Sequence, residues 1–263
     1  MNKPMTERTT PTHAPMNQFV ERDGQLLAGG RTLADIAAEV GQTPFYVYDR
    51  QVIAAQVEKL RREMPSGLHI HYAMKANPMP EVVNLLAGLT DGLDVASAGE
   101  LGIALATGTA PRDISFAGPG KSDQDLSEAV AAGVIINLES EGEMNRVAAL
   151  AEASGKRPPV AVRVNADFEL KAAGMKMGGG PKPFGVDAER VPAMLSDMGR
   201  LPLEFVGFHI FCGSQILRPE AIIEAKNNTF ELAWRLAKSA PAPVSWMNIG
   251  GGLGIPYFPG EQR

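Results

Sequence analysis

An apolar, strand-like run followed by a capped amphipathic segment recurs along the chain, and few folds tolerate that alternation. It implies parallel strands joined by crossover helices, because a parallel neighbour can be reached only by a long return over one face of the sheet. The runs are LHIHYAM (68–74), LDVAS (93–97), DISFAG (113–118), VIINLES (134–140), VAVRVNAD (160–167), EFVGFHIF (204–211) and SWMNIGG (245–251). These seven units fall one short of the eight that close a (β/α)8 barrel, and the sequence stops soon after the last. The pattern leaves two folds open: a doubly wound open sheet, or a TIM-type barrel truncated after its seventh strand.

Ahead of the repeat, FVERDGQLL (19–27) carries the Asp23-Gly24 pair of a hairpin. Thr32 is placed to cap a helix with Leu33, Ile36, Ala37 and Val40 at helical spacing, ended by Gly41. PFYVYD (44–49) reads as a strand, and Asp49 as the cap of a second helix bearing Ile53, Val57, Leu60 and Met64. Ser122 and Asp125 form a capping pair further on, and Pro219 stands in the first turn of a long helix. The division expected is a leader and N-terminal β hairpin over 1–30 and an incomplete barrel over 31–263.

The formal charge of -5 offers no electrostatic reason to favour nucleic acid or an anionic membrane, so small-molecule chemistry is expected. The single cysteine, Cys212, cannot close an internal disulfide. The first residues lack the apolar core of a signal peptide, and no apolar run reaches the eighteen or so residues of a membrane span. A cytoplasmic protein with a tag-like leader is the expectation.

Strict alternation through LHIHYAMKA puts His69, His71, Ala73 and Lys75 on one strand face. In a barrel the C-terminal strand ends carry the active site, so Lys75 is expected in its mouth. A lone lysine at a strand end ordinarily snorkels into water. Here other strand ends are also polar or glycine-rich: Asp94 and Ser97, Arg163, His209 and Ser214, and NIGGGLG (248–254). A glycine run at a strand end lets backbone N–H groups crowd a phosphate, though it is equally compatible with a plain loop. GGGLGIPY is not a dinucleotide fingerprint, since Ile255 or Tyr257 takes the place of the last glycine.

The ordered motifs Y-A-x-K-A-N, D-V-A-S-x-G-E-L, H-x-x-x-G-S-Q and I-G-G-G resemble the fold-type III pyridoxal-phosphate decarboxylases, the group of diaminopimelate and ornithine decarboxylases, with the exosortase-associated type within it. The resemblance runs from about residue 17 to 260 and implies an alanine racemase-type barrel, pyridoxal 5'-phosphate as cofactor and decarboxylation of an amino acid that is diaminopimelate-, ornithine- or lysine-like. It assigns Lys75 to the Schiff base, Gly250, Gly251 and Gly252 to the phosphate with Ser214 as a hydroxyl donor, and Asp94 and Arg163 to the surroundings of the cofactor. Lysine suits that role because its amine becomes nucleophilic when partial desolvation favours the neutral form.

One position departs from the family pattern. Where the family places a histidine three residues before the serine, stacked on the cofactor ring, this chain has Phe211, and the histidine is His209. A phenyl ring can stack but cannot donate a proton, so either Phe211 takes over the stacking with His209 nearby on the same strand face, or the chemistry is altered. The resemblance makes His209 a catalytic candidate beside Lys75 and leaves open which of the two rings covers the cofactor. His69 and His71 at i, i+2 lack nearby acids or thiols in sequence, and no metal is assigned. KPFGV (182–186) resembles a family segment that lies over the barrel mouth.

By the same resemblance a further strand and a C-terminal β domain are absent, the functional form is a homodimer, and the 263 residues alone bind cofactor poorly and turn over little. The other readings are a single-domain pyridoxal-phosphate-binding homeostasis protein, favoured by length, an inactive fragment without catalysis, and an amino-acid racemase, disfavoured by the motif order around Ser214.

Overall fold

The computed structural model describes residues 12–15, 17–169, 175–176, 178–180 and 182–261. Most of the leader lies outside the described residues. The first strands among the described residues form a three-stranded antiparallel ribbon: Glu21–Arg22, Gln25–Ala28 and Arg31–Thr32. Both of its turns need positive φ at two successive residues, which Asp23 and Gly24 (52° and 72°) and Gly29 and Gly30 (58° and 77°) supply. The hairpin expected from Asp23-Gly24 is present, and the second turn adds a strand that the sequence pattern does not announce.

Helix α1 (Leu33–Val40) is capped by the Thr32 side chain and closed by Gly41 in the left-handed conformation. Helix α2 (Arg50–Glu63) is capped by Asp49, whose carboxylate accepts from the Gln51 and Val52 amides. Between them PFYVYD is not a strand. It has no ladder partner among the described residues, and Tyr46 and Tyr48 are exposed at 89% and 49%. β propensity alone does not make a strand when no neighbouring edge takes up its backbone groups.

The repeat then proceeds as expected: β1 (His71–Ala73), α3 (Pro80–Ala87), β2 (Gly92–Val95), α4 (Ala98–Ala106), β3 (Ile114–Phe116), α5 (Asp123–Ala132), β4 (Ile135–Leu138), α6 (Glu141–Ser154), β5 (Pro159–Asn165), α7 (Val191–Met198), β6 (Glu204–Ile210), α8 (Pro219–Ala237) and β7 (Trp246–Asn248). All neighbouring strands are parallel, and their order in the sheet is their order in the chain. A doubly wound sheet reverses direction at a switch point, and this one does not. The fold is the barrel type, seven strands curling round one interior.

Alternation along each strand sorts side chains into two environments. Leu93, Val95, Ile114, Phe116, Ile136, Leu138, Val160, Val162, Val164, Phe208 and Ile210 face the helices and form the main core. The opposite face lines the barrel. At its lower level Ile135, Ala161, Val206 and Trp246 make a small apolar layer. Two residues further along their strands stand Asn137, Arg163 and Asn248, with His209 in register between the last two. The interior is therefore apolar at the base and polar at the C-terminal strand ends.

Candidate active site

Asp94 is the hub of the polar layer. Its Oδ1 accepts from Ser115 Oγ at 2.8 Å and lies 3.1 Å from His71 Nδ1; its Oδ2 accepts from Asn248 Nδ2 at 3.2 Å. Asn137 Nδ2 continues the chain to Ser115 Oγ at 3.2 Å. These residues come from β1, β2, β3, β4 and β7, so the network exists only because the sheet curls. Gly92 makes room for it, since a Cβ there would stand 2.6 Å from the His71 ring.

The electrostatics derive from this wiring. Burial opposes ionisation of Asp94, but the hydrogen bond and charge of His71, then the charge of His209 and the Ser115 bond, hold its carboxyl below the ordinary 3.8. Burial pulls His71 down, yet the bond and charge of Asp94, helped by Asp113 and Asp91, leave it above 6.5. His209 goes the other way: burial first, then the charge of Arg163, push it to about 3 against the partial support of Asp94, with Lys75 and Lys121 adding to the depression. His209 is therefore a neutral ring at physiological pH.

Arg163 is fixed from two sides. Its Nη1 donates to Glu139 Oε1 at 2.8 Å, and its guanidinium lies 4.9 Å from the centroid of the Phe184 ring. Glu139, 1% exposed at its side chain, also accepts from the Gly118 and Gly185 amides. The 182–186 segment thus reaches the strand ends at Arg163 and Glu139.

Lys75 does not continue the strand alternation. β1 ends at Ala73, and Met74–Ala76 form a 3-10 turn with Met74 fully buried and Lys75 exposed. The turn, and not the pleat, sets Lys75 just past the strand end where Ala73 pairs with Asp94, and it leaves the side chain exposed where partial desolvation was expected.

The glycine run comes directly after β7. Gly250 and Gly252 have φ of 65° and 109°, conformations that favour glycine. A Cβ on Gly250 would stand 2.5 Å from the Phe211 ring and one on Gly252 2.8 Å from the Gly213 carbonyl, whereas Gly251 faces open space. Phe211 therefore packs on the turn, and His209, two residues earlier, lies between Arg163 and Asn248. The Gly213–Ile216 segment runs alongside, with Ile216 N donating to Gly252 O at 2.9 Å and Gly254 N to Ile216 O at 2.8 Å. This lays Ser214 beside the turn. Gln215, at φ 58°, uses its side-chain amide to pair with both the N–H and the C=O of Ile255.

Of the residues that the sequence singles out, the fold gathers Asp94, Arg163, His209, Phe211, Ser214 and the glycines at one end of the barrel. Sequence alone overlooks Ser115, Asn137, Glu139 and Asn248, and presents His71 only as a weak metal ligand. A signal exists, because Ser115, Asn137 and Asn248 stand at inward positions of their strands and Glu139 directly follows one, yet inward polar residues acquire meaning only once their neighbours are known.

Whether these residues suit pyridoxal phosphate can be judged from their unused groups. His209 Nδ1 and Asn137 Oδ1 are buried with no partner among the described residues, and the Gly251 and Gly252 amides donate to nothing there. The two buried groups are costly unless a ligand meets them, while Gly251 is exposed and Gly252 half-buried, which leaves their amides open to an incoming anion. An exposed amine, a neutral imidazole and free glycine amides suit an aldehyde on an aromatic ring with a phosphate tail.

Comparison with known proteins agrees. Residues 50–263 match the model of the pyridoxal-dependent decarboxylase family's pyridoxal binding domain. The chain is 36% identical over 255 residues to diaminopimelate decarboxylase of Aquifex aeolicus, covering 94% of this chain and 59% of that one. It is 34% identical over 223 residues to the L-glutamyl-[BtrI acyl-carrier protein] decarboxylase of Niallia circulans, covering 84% and 52%. Diaminopimelate decarboxylase of M. jannaschii, solved with L-lysine, superposes with a TM-score of 0.80 at 26% identity over 93% of this chain and 58% of that one. The chain thus spans little more than half the length of these relatives.

Proposed function

The chain belongs to the pyridoxal-dependent decarboxylases, and from that premise we propose that it is the cofactor-binding barrel of an enzyme that decarboxylates an amino acid, with Lys75 as the residue that attaches the cofactor. What supports this reading is that Lys75 follows directly on the strand end where Ala73 pairs with Asp94, on the same rim as His209 and beside a glycine turn with unused amides.

Bound pyridoxal phosphate supplies an electron-accepting ring for the electrons left when a Cα–carboxylate bond breaks. Lys75 Nζ, with Gly250, Gly251, Gly252 and Ser214, would hold it. The chain's own contribution is positioning and charge. Three donors keep Asp94 ionised and fixed, Glu139 and Phe184 prevent Arg163 from swinging, and burial keeps His209 uncharged, able to pack on a ring without adding a cation. Phe211, wedged on Gly250, shapes the wall of the turn. The apolar layer of Ile135, Ala161, Val206 and Trp246 lies beneath the polar one on the same strands.

The substrate we take to be a diaminopimelate-, ornithine- or lysine-like amino acid, on the support of relatives named diaminopimelate decarboxylase and of one solved with L-lysine. The functional form is taken as a cytoplasmic homodimer; among the described residues no helix is long and apolar enough to cross a membrane.

To test the reading, the protein is mixed with pyridoxal phosphate, reduced with borohydride and digested, and carbon dioxide release is monitored from diaminopimelate, ornithine and lysine. The label is expected on Lys75, and any release is expected to vanish in Lys75→Ala. A label on another lysine, or release undiminished in that variant, overturns it.

A further inference from the structure

Lys226 on α8 belongs to none of the family motifs above, yet its ammonium is half-buried against the glycine turn. Its Nζ donates to the carbonyls of Ile249 at 2.7 Å and Gly251 at 3.1 Å and reaches that of Gly250 at 3.5 Å. Three successive carbonyls thus point to one cation.

Peptide geometry then orients the amides. In a trans peptide the C=O of one residue and the N–H of the next are antiparallel in the same plane. Carbonyls of Ile249, Gly250 and Gly251 that face Lys226 therefore send the N–H groups of Gly250, Gly251 and Gly252 to the opposite side. The first of these is taken up by Asn248 Oδ1 at 2.8 Å. Among the described residues the other two donate to nothing. They are neighbouring donors on one side of a turn, the arrangement that makes a backbone anion site.

We propose that Lys226 is a positioning residue for the phosphate of the cofactor: by gathering three carbonyls it aims the Gly251 and Gly252 amides at the anion, and it places a positive charge directly behind them. The inference rests on the reading of this turn as the phosphate site. The Lys226 ammonium is partly withdrawn from water by the carbonyls it meets, and that burial lowers its basicity. A purely structural lysine would stabilise the turn without regard to what binds on its far side.

The two roles separate by comparing pyridoxal phosphate with pyridoxal, which lacks the phosphate. Dissociation constants for both, and competition by inorganic phosphate, are measured by fluorescence titration on the wild-type chain, Lys226→Met and Lys226→Arg. Wild type should prefer pyridoxal phosphate, with phosphate competing. Lys226→Met should lose about tenfold or more of that preference, the size of one hydrogen bond to a charged group, with pyridoxal binding unchanged. Lys226→Arg should restore part of it. If Lys226→Met does not fold, Lys226→Gln, which keeps a donor but no charge, is judged by the same ratio. A variant that keeps the wild-type preference, or loses affinity for both ligands equally, overturns the role of Lys226. A wild type that does not distinguish the two ligands instead refutes the phosphate site itself, and the inference with it.

Discussion

Asn248 Nδ2 donates to Asp94 Oδ2 at 3.2 Å, joining two residues 154 positions apart in the chain. Asn248 stands on the last strand and Asp94 on the second, and the bond crosses the interior that the other strands wrap. The same side chain accepts from the Gly250 amide, so one asparagine ties the carboxylate cluster to the glycine turn. Asn248→Ala removes both bonds and is expected to cost about 1–3 kcal/mol, read from the urea midpoint at unchanged slope.

Glu139 neutralises Arg163 and also accepts from two amides while almost wholly buried. Glu139→Ala leaves a guanidinium and two amides without their acceptor, and should cost about 3–5 kcal/mol. Arg163→Met in the same background should recover part of that loss by removing the stranded charge, and a double-mutant cycle in urea measures it.

His209 gives acid denaturation a defined direction. Its folded pKa is about 3 against an ordinary 6.5, so the unfolded chain takes up a proton that the folded chain refuses. Its contribution is whole above 6.5 and is lost as the pH falls from there toward 3. His71, raised above 6.5, runs the other way: its contribution is present below 6.5 and lost as the pH rises through its folded value. Between about pH 7 and about pH 5 wild type should lose more stability than His209→Asn, whose stability should change less with pH. Equal losses would contradict the assignment.

Gly207 interrupts the register of β6 with β5 between Phe205 and Gly207, and a Cβ there would lie 1.7 Å from the Trp246 carbonyl oxygen. Since that carbonyl belongs to the neighbouring strand, it cannot move aside without unpairing β7. Gly207→Ala should cost more than about 4 kcal/mol and release the Trp246 fluorescence from its environment in the partly buried base layer.

Lys75 is exposed on a turn whose only buried member is Met74. Lys75→Ala should leave the urea midpoint within about 0.5 kcal/mol of wild type while abolishing the borohydride-trapped adduct. Loss of both together would mean that the lysine is structural.

Much of this architecture is legible in the sequence because it rests on local chemistry. Thr32, Asp49 and Ser122 announce their helices through side chains that satisfy the first free amides, and Gly41 ends the first by accepting the left-handed conformation. Apolar runs followed by capped helices mark the barrel strands. The same reasoning fails at PFYVYD, where strand-forming residues meet no partner edge, and at Lys75, where a 3-10 turn cuts the alternation short.

Taken alone, the order of residues determined which segments are strands and helices, which strand face is apolar, and where glycine is needed, since each depends on neighbours a few positions apart. Only the curled sheet decided that Asp94 meets Asn248, that Glu139 meets Arg163 and that Lys226 stands behind the glycine turn. Those contacts span from 23 to 154 positions, and hydrogen bonds across such separations form only once tertiary packing has set the distance.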